Sequence, residues 1–111
     1  MPARPPTPLL AIETSCDETA AAMMDSDGRL LSSVVHSQVE DHAPFGGVMP
    51  ETAARRHLEM IGPVVRQALA AAACAPQSVA VTVGPGLIGS LLVGVSFADA
   101  FALGRGLPAS A

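Results

Sequence analysis

The chain has 111 residues, half of them apolar, which is enough for one domain with a core and too few for two. Ten acidic residues against six arginines and no lysine leave a net charge of −4, so the chain carries no basic stripe of the kind that tracks nucleic acid. Cys16 and Cys74 lie far apart without metal-site spacing, and Met1-Pro2-Ala3-Arg4-Pro5-Pro6 lacks the apolar stretch of an export signal, so reduced thiols in a cytosol are expected.

A Pro-rich leader over residues 1–8 precedes the first element. Leu9–Thr14 reads as a buried strand and Thr19–Met24 as a second. The turn signal Asp25-Ser26-Asp27-Gly28 leads to a third strand, Leu30–His36, with β-branched bulk from Val34 and Val35. Three strands joined by short turns predict an antiparallel meander. Ser37–Met49 is polar and glycine-bearing and reads as a loop or a short irregular segment. From Pro50 the period becomes helical, with Ala54, Leu58, Ile61, Val65, Ala68 and Ala72 on one face. Pro50 suits a first helical turn and Glu51 the positive end of the helix dipole. Pro63 removes the hydrogen bond to the Glu59 carbonyl, which predicts a bent or split helix.

Pro76 closes that region. Val79–Val83 reads as a fourth strand and Leu87–Leu103 as a second helix. The apolar run Leu87–Ala98 is about half the length of a membrane span, so a buried helix and no membrane anchor are expected. Ser90, Gly94, Ala98 and Ala102 form a small stripe at four-residue spacing, which predicts close packing on that face. The order is β-β-β-α-β-α, and Gly104–Ala111 is expected only to approach a fifth strand.

Two segments carry chemistry. Glu13-Thr14-Ser15-Cys16-Asp17-Glu18-Thr19 places three carboxylates and three hydroxyls directly after an apolar strand, suited to a phosphate, a hydrated metal or a reacting amine. The plainer alternative is a solvated acidic turn. Gly84-Pro85-Gly86-Leu87-Ile88-Gly89 runs from a strand into a helix, where backbone amides and the helix N-terminus suit an anion. It matches the dinucleotide fingerprint formally, but that fingerprint needs an acid at the end of the next strand, and three antiparallel strands argue against a doubly wound sheet. A bare turn is the alternative there. Cys16 reads as a packing residue and His42 as ordering its loop; His36, His42 and His57 lack the spacing of a metal pair.

Taken together, Ile12 to Thr19, then Ser37-Gln38 with His42, then Gly46-Gly47-Val48-Met49-Pro50-Glu51 with Ala53, Arg55 and His57, then Gly84 to Leu91 resemble four successive motifs of one family. It is the tRNA adenosine threonylcarbamoyltransferase family, long filed as O-sialoglycoprotein endopeptidases. The resemblance implies an α/β fold, the N-terminal lobe of an actin-like ATPase (ribonuclease-H-like) architecture over residues 9–111, lacking the fifth strand and the second lobe. It implies transfer of a threonylcarbamoyl group from threonylcarbamoyl-AMP to the exocyclic amine of the adenosine next to the anticodon, in tRNAs reading codons that begin with A.

Carried onto this sequence, the candidate catalytic residues are Asp17 and Glu18. Thr14, Ser15, Gly84 and Gly86 fall on the substrate or nucleotide side, and Glu51, Arg55 and His57 are further substrate-side candidates, Arg55 and His57 on a surface near the site, where a structural role is the alternative. The family's metal, iron or zinc, is held by a His-x-Glu-Gly-His segment and an aspartate expected beyond Ala111, so these residues alone are expected to bind none and to be inactive. The implied partners are tRNA, an actin-like paralogue and an accessory ATPase in the cytoplasm. A non-catalytic paralogue acting as scaffold is the alternative, although the Cys16-Asp17-Glu18 and Gly86-Leu87-Ile88 runs favour the enzyme.

Overall fold

The computed structural model describes residues 4–111. Its elements are β1 (Leu9–Glu13), β2 (Glu18–Met24), β3 (Leu30–Ser37), α1 (Val39–His42) followed by a 3-10 turn over Ala43–Phe45, α2 (Pro50–Ala72), β4 (Ser78–Val81), α3 (Ile88–Arg105) and β5 (Ala109–Ser110). The strands form one sheet in the order β3-β2-β1-β4-β5. β1, β2 and β3 pair antiparallel, as the meander predicts, while β4 runs parallel to β1 and β5 parallel to β4. That arrangement is not a doubly wound sheet, so the glycine-rich turn is not a dinucleotide fingerprint.

Alternation sets the core. Leu10 and Ile12 of β1, Ala21 and Met23 of β2, and Val79 and Val81 of β4 point to one side of the sheet. There they meet Ile61, Val64, Val65 and Ala68 of α2 and Val93, Ala98, Phe101 and Ala102 of α3 in one cluster. The end of the leader is tied to the sheet by the Pro8 carbonyl, which accepts from the Gln77 amide at 2.8 Å.

Several expectations are corrected. The chain does contain a fifth strand: Gly106, in the left-handed region at φ 66°, ends α3, and the Pro108 carbonyl accepts from the Val79 amide at 3.0 Å. Two small residues without β-branching gave it no signature. Residues 37–49 hold a short helix and a 3-10 turn rather than a plain loop. α2 is not split at Pro63 but continues through it to Ala72. Gly62, without a Cβ, relieves the clash that proline imposes on the residue before it, and Glu59 is exposed, so water can satisfy its freed carbonyl.

The buried face of α2 is Ala53, His57, Ile61, Val64, Val65 and Ala68, whereas Leu58, assigned to the core by its spacing, is 66% exposed. At 18 residues α3 is long and apolar enough to cross a membrane, longer than the apolar run alone suggests. Its small stripe Ser90, Gly94, Ala98 and Ala102 is nevertheless buried against the domain, as expected.

Candidate active site

β1's alternation continues beyond its last residue, so Thr14 follows Leu10 and Ile12 to the helix side and is fully buried. Its hydroxyl donates to the Ser90 carbonyl at 2.7 Å and accepts from the Gly94 amide at 3.1 Å. A Cβ on Gly94 would lie 2.5 Å from that oxygen, so the small residue here lets α3 close onto β1. Thr14 is therefore a clamp between strand and helix, which corrects its placement on the substrate side.

The chain then turns with three successive carbonyls directed inward to three different segments. Ser15 O accepts from the Leu87 amide at 2.8 Å, Cys16 O from the ring Nε2 of His57 at 2.8 Å, and Asp17 O from the Gln38 amide at 2.9 Å. The Glu13 carboxylate accepts from the Ser15 amide at 2.7 Å. With the acceptor side of the turn tied down, the side chains of Cys16 and Glu18 are exposed and that of Asp17 half-buried. Cys16 is thus no packing residue: its carbonyl, not its thiol, is engaged inward.

The two glycine- and acid-bearing turns are brought together. A Cβ on Gly86 would stand 2.6 Å from the Ser15 carbonyl oxygen, so the Gly84-Pro85-Gly86 segment lies directly on the acidic turn, and Gly84 and Gly86 are exposed there. α3 starts immediately afterwards, at Ile88. The juxtaposition offers carboxylates and a helix N-terminus at one end of the sheet, a combination suited to an amine acceptor and an anionic donor.

His57 is fully buried, which corrects its placement on a surface. Nε2 must donate, because the Cys16 carbonyl only accepts; Nδ1 then accepts from the Thr19 hydroxyl at 2.7 Å in the neutral ring. A second buried histidine orders the neighbouring loop as expected. Met49's amide donates to His42 Nδ1 at 3.0 Å, and His42 Nε2 donates to Gln38 Oε1 at 2.8 Å. Gln38, held in this way, supplies the amide that fixes Asp17. Sequence reasoning missed the roles of Gln38 and Thr19, although period-two alternation through β2 places Thr19 beside Ala21 and Met23 on the core side.

Glu51 and Arg55 are exposed on the first turns of α2, and among the described residues no hydrogen bond or ion pair ties them to the acidic turn. Arg55 lies about 200° around the helix from His57, so the two cannot serve one site from the same face. Among the described residues no three His, Cys, Asp or Glu side chains come together as a group that could hold a metal ion.

Residues 29–111 match the family model of TsaD, tRNA N6-adenosine threonylcarbamoyltransferase. The chain belongs to this family. TsaD relatives carrying that description, from Pelobacter propionicus, Trichlorobacter lovleyi and Streptococcus pneumoniae, are 63%, 64% and 53% identical to it over 103, 104 and 103 residues. Each comparison covers 90% of this chain but only 30%, 30% and 31% of the relative, so the chain spans under a third of the length of those TsaD proteins. Among solved structures, YeaZ from Pseudomonas aeruginosa superposes with a TM-score of 0.66 over 93% of this chain and 42% of that one, at 23% identity. That likeness shows a shared fold, the ribonuclease-H-like lobe expected for TsaD from the order of elements.

Proposed function

We propose that this chain forms the N-terminal part of an enzyme that moves a threonylcarbamoyl group from threonylcarbamoyl-AMP to the exocyclic amine of the adenosine next to the anticodon, in tRNAs reading codons that begin with A. The observation that carries the reading is the acidic turn with its carbonyls tied inward and no hydrogen bond, among the described residues, on the Asp17 and Glu18 carboxylates, in a chain of the TsaD family. In that reaction the amine nitrogen attacks the donor carbonyl, the new C–N bond forms, the bond to the AMP phosphate oxygen breaks, and AMP leaves with the electron pair. The amine must lose a proton, and Asp17, with Glu18 beside it, is the group assigned to receive it. Ser15, Gly84 and Gly86 line the donor's phosphate side, with α3's N-terminus favouring its negative charge.

The same reading includes iron or zinc, held by residues from the remaining two thirds of the family's length, in a two-lobed actin-like protein of the cytoplasm. It also includes an accessory ATPase and an actin-like paralogue. The paralogue's docking face is assigned to the outer side of α2 and α3, where Leu58, Leu92 and Ile88 are 66%, 59% and 80% exposed. Between the helices, Leu58, Ile61, Leu92, Val93 and Phe97 line an apolar groove of about 380 Å³. Exposed apolar patches of this kind mark protein contacts. The scaffold-paralogue reading of this chain itself is disfavoured, since relatives named as the transferase are 53–64% identical to it.

The test is direct. The full-length protein carrying this sequence, given threonylcarbamoyl-AMP and tRNA, is expected to form the modified nucleoside on tRNAs that read codons beginning with A and not on others, as scored by mass spectrometry of digested tRNA. No product on any tRNA, with donor intact, would sink the enzyme reading.

A further inference from the structure

We infer that His57 is a positioning residue that aims the Asp17-Glu18 pair. The inference rests on the reading of the acidic turn as the transfer site. Its starting point is the composition of α2's buried face, which is aliphatic or alanine at every other buried position, Ala53, Ile61, Val64, Val65 and Ala68. A leucine would fill much of the same volume. Burying an imidazole instead is unfavourable unless its nitrogens are satisfied, and both are, by the two residues that bracket the pair. The carbonyl of Cys16, immediately before Asp17, accepts a hydrogen bond from Nε2–H, and the hydroxyl of Thr19, immediately after Glu18, donates one to Nδ1.

The remaining inward bonds of the turn come from backbone amides, those of Leu87 and Gln38, which almost any residue could supply. His57 is the one side chain, among the described residues, that donates to a carbonyl of residues 15–17. One ring therefore fixes the distance between the end of the turn's first limb and the first inward residue of β2. Asp17 follows Cys16 directly, so its direction depends on the Nε2 bond as well as on the Gln38 amide that holds its own carbonyl. Loss of the ring frees Cys16 and the approach to Asp17, while Glu18 stays paired with Ser37 at the start of β2.

The experiment uses the full-length protein carrying this sequence and the variants His57→Leu, His57→Gln and Thr19→Val. Backbone hydrogen exchange is followed by mass spectrometry, and kcat and KM are measured with tRNA and threonylcarbamoyl-AMP. His57→Leu is expected to speed exchange in peptides covering residues 14–19 about tenfold, as for one lost hydrogen bond, with β4 and α3 unchanged. Its kcat is expected to fall roughly 10- to 100-fold with KM for tRNA little altered, as for displaced reacting groups. His57→Gln, whose side-chain amide can still donate to the Cys16 carbonyl, should recover most of both losses. Thr19→Val should show the same pattern more weakly, and it carries the test if His57→Leu does not fold.

Unchanged exchange in residues 14–19 together with unchanged kcat would overturn the inference. So would faster exchange across the whole molecule with no recovery by glutamine, because His57 would then be a general core residue. Asp17→Ala is run alongside: normal transfer by that variant defeats the functional reading, while the exchange comparison still decides whether His57 holds the turn.

Discussion

Thr14 and Asp17 stand three positions apart, the first fully buried and the second half-buried, and the difference follows from what each can bond. Thr14's hydroxyl has a donor and an acceptor within reach inside the core, on the Gly94 amide and the Ser90 carbonyl. Thr14→Val keeps the shape and removes the hydroxyl that joins β1 to the Ser90 carbonyl and the Gly94 amide, which remain an i, i+4 pair within α3, so it is expected to cost about 0.5–1.5 kcal/mol, read as a lowered urea midpoint at constant slope. An unchanged midpoint would mean that the hydroxyl is not engaged. The carboxylate cluster was legible because so many acceptors at a strand end have no other use. Thr14 was not, because it was counted with the polar run instead of with the alternation of Leu10 and Ile12. His57 was misplaced for a related reason: counting only apolar residues moved the helix stripe by one position, onto Leu58.

At the scale of elements, the stripe on α3 is where sequence and structure agree most closely, and its physical cause is the approach of α3 to β1 at Gly94. Gly94→Leu forces a side chain into space occupied by Thr14 Oγ1 and the Val81 side chain, so it is expected to destabilise by about 1–3 kcal/mol or more. Because Gly94 and Thr14 meet directly, Gly94→Ala combined with Thr14→Ala should cost less than the sum of the two single changes. Strict additivity in thermal or urea melts would show that the two positions do not touch. The three-strand meander, both long helices and the fourth strand could be read from periodicity and turn chemistry. β5 could not, since Ala109-Ser110 is defined by pairing with β4 and by nothing in its own residue types. The persistence of α2 through Pro63 was equally hidden, because the gain from burying Ile61, Val64 and Val65 on one face is a tertiary effect.

For the whole molecule, the sheet carries both long helices on one side, and their outer faces leave Leu58, Ile88 and Leu92 in water. Leu58→Asp with Leu92→Asp should leave the melting temperature nearly unchanged and weaken association with the paralogue at least about tenfold, as measured by sedimentation. Equal association of native and substituted proteins would move the docking face elsewhere. The central claim concerns the other end of the sheet, where the carboxylates of a turn held by its carbonyls are assigned the proton of the attacking amine. It is tested most directly by the single-turnover rate of threonylcarbamoyl transfer to tRNA in the full-length protein, native against Asp17→Ala, with unfolding followed in parallel. The expected result is a rate lower by about 100-fold or more with stability changed by no more than about 0.5 kcal/mol, since a half-buried turn carboxylate supports no core. A near-native rate from a correctly folded Asp17→Ala protein would contradict the account.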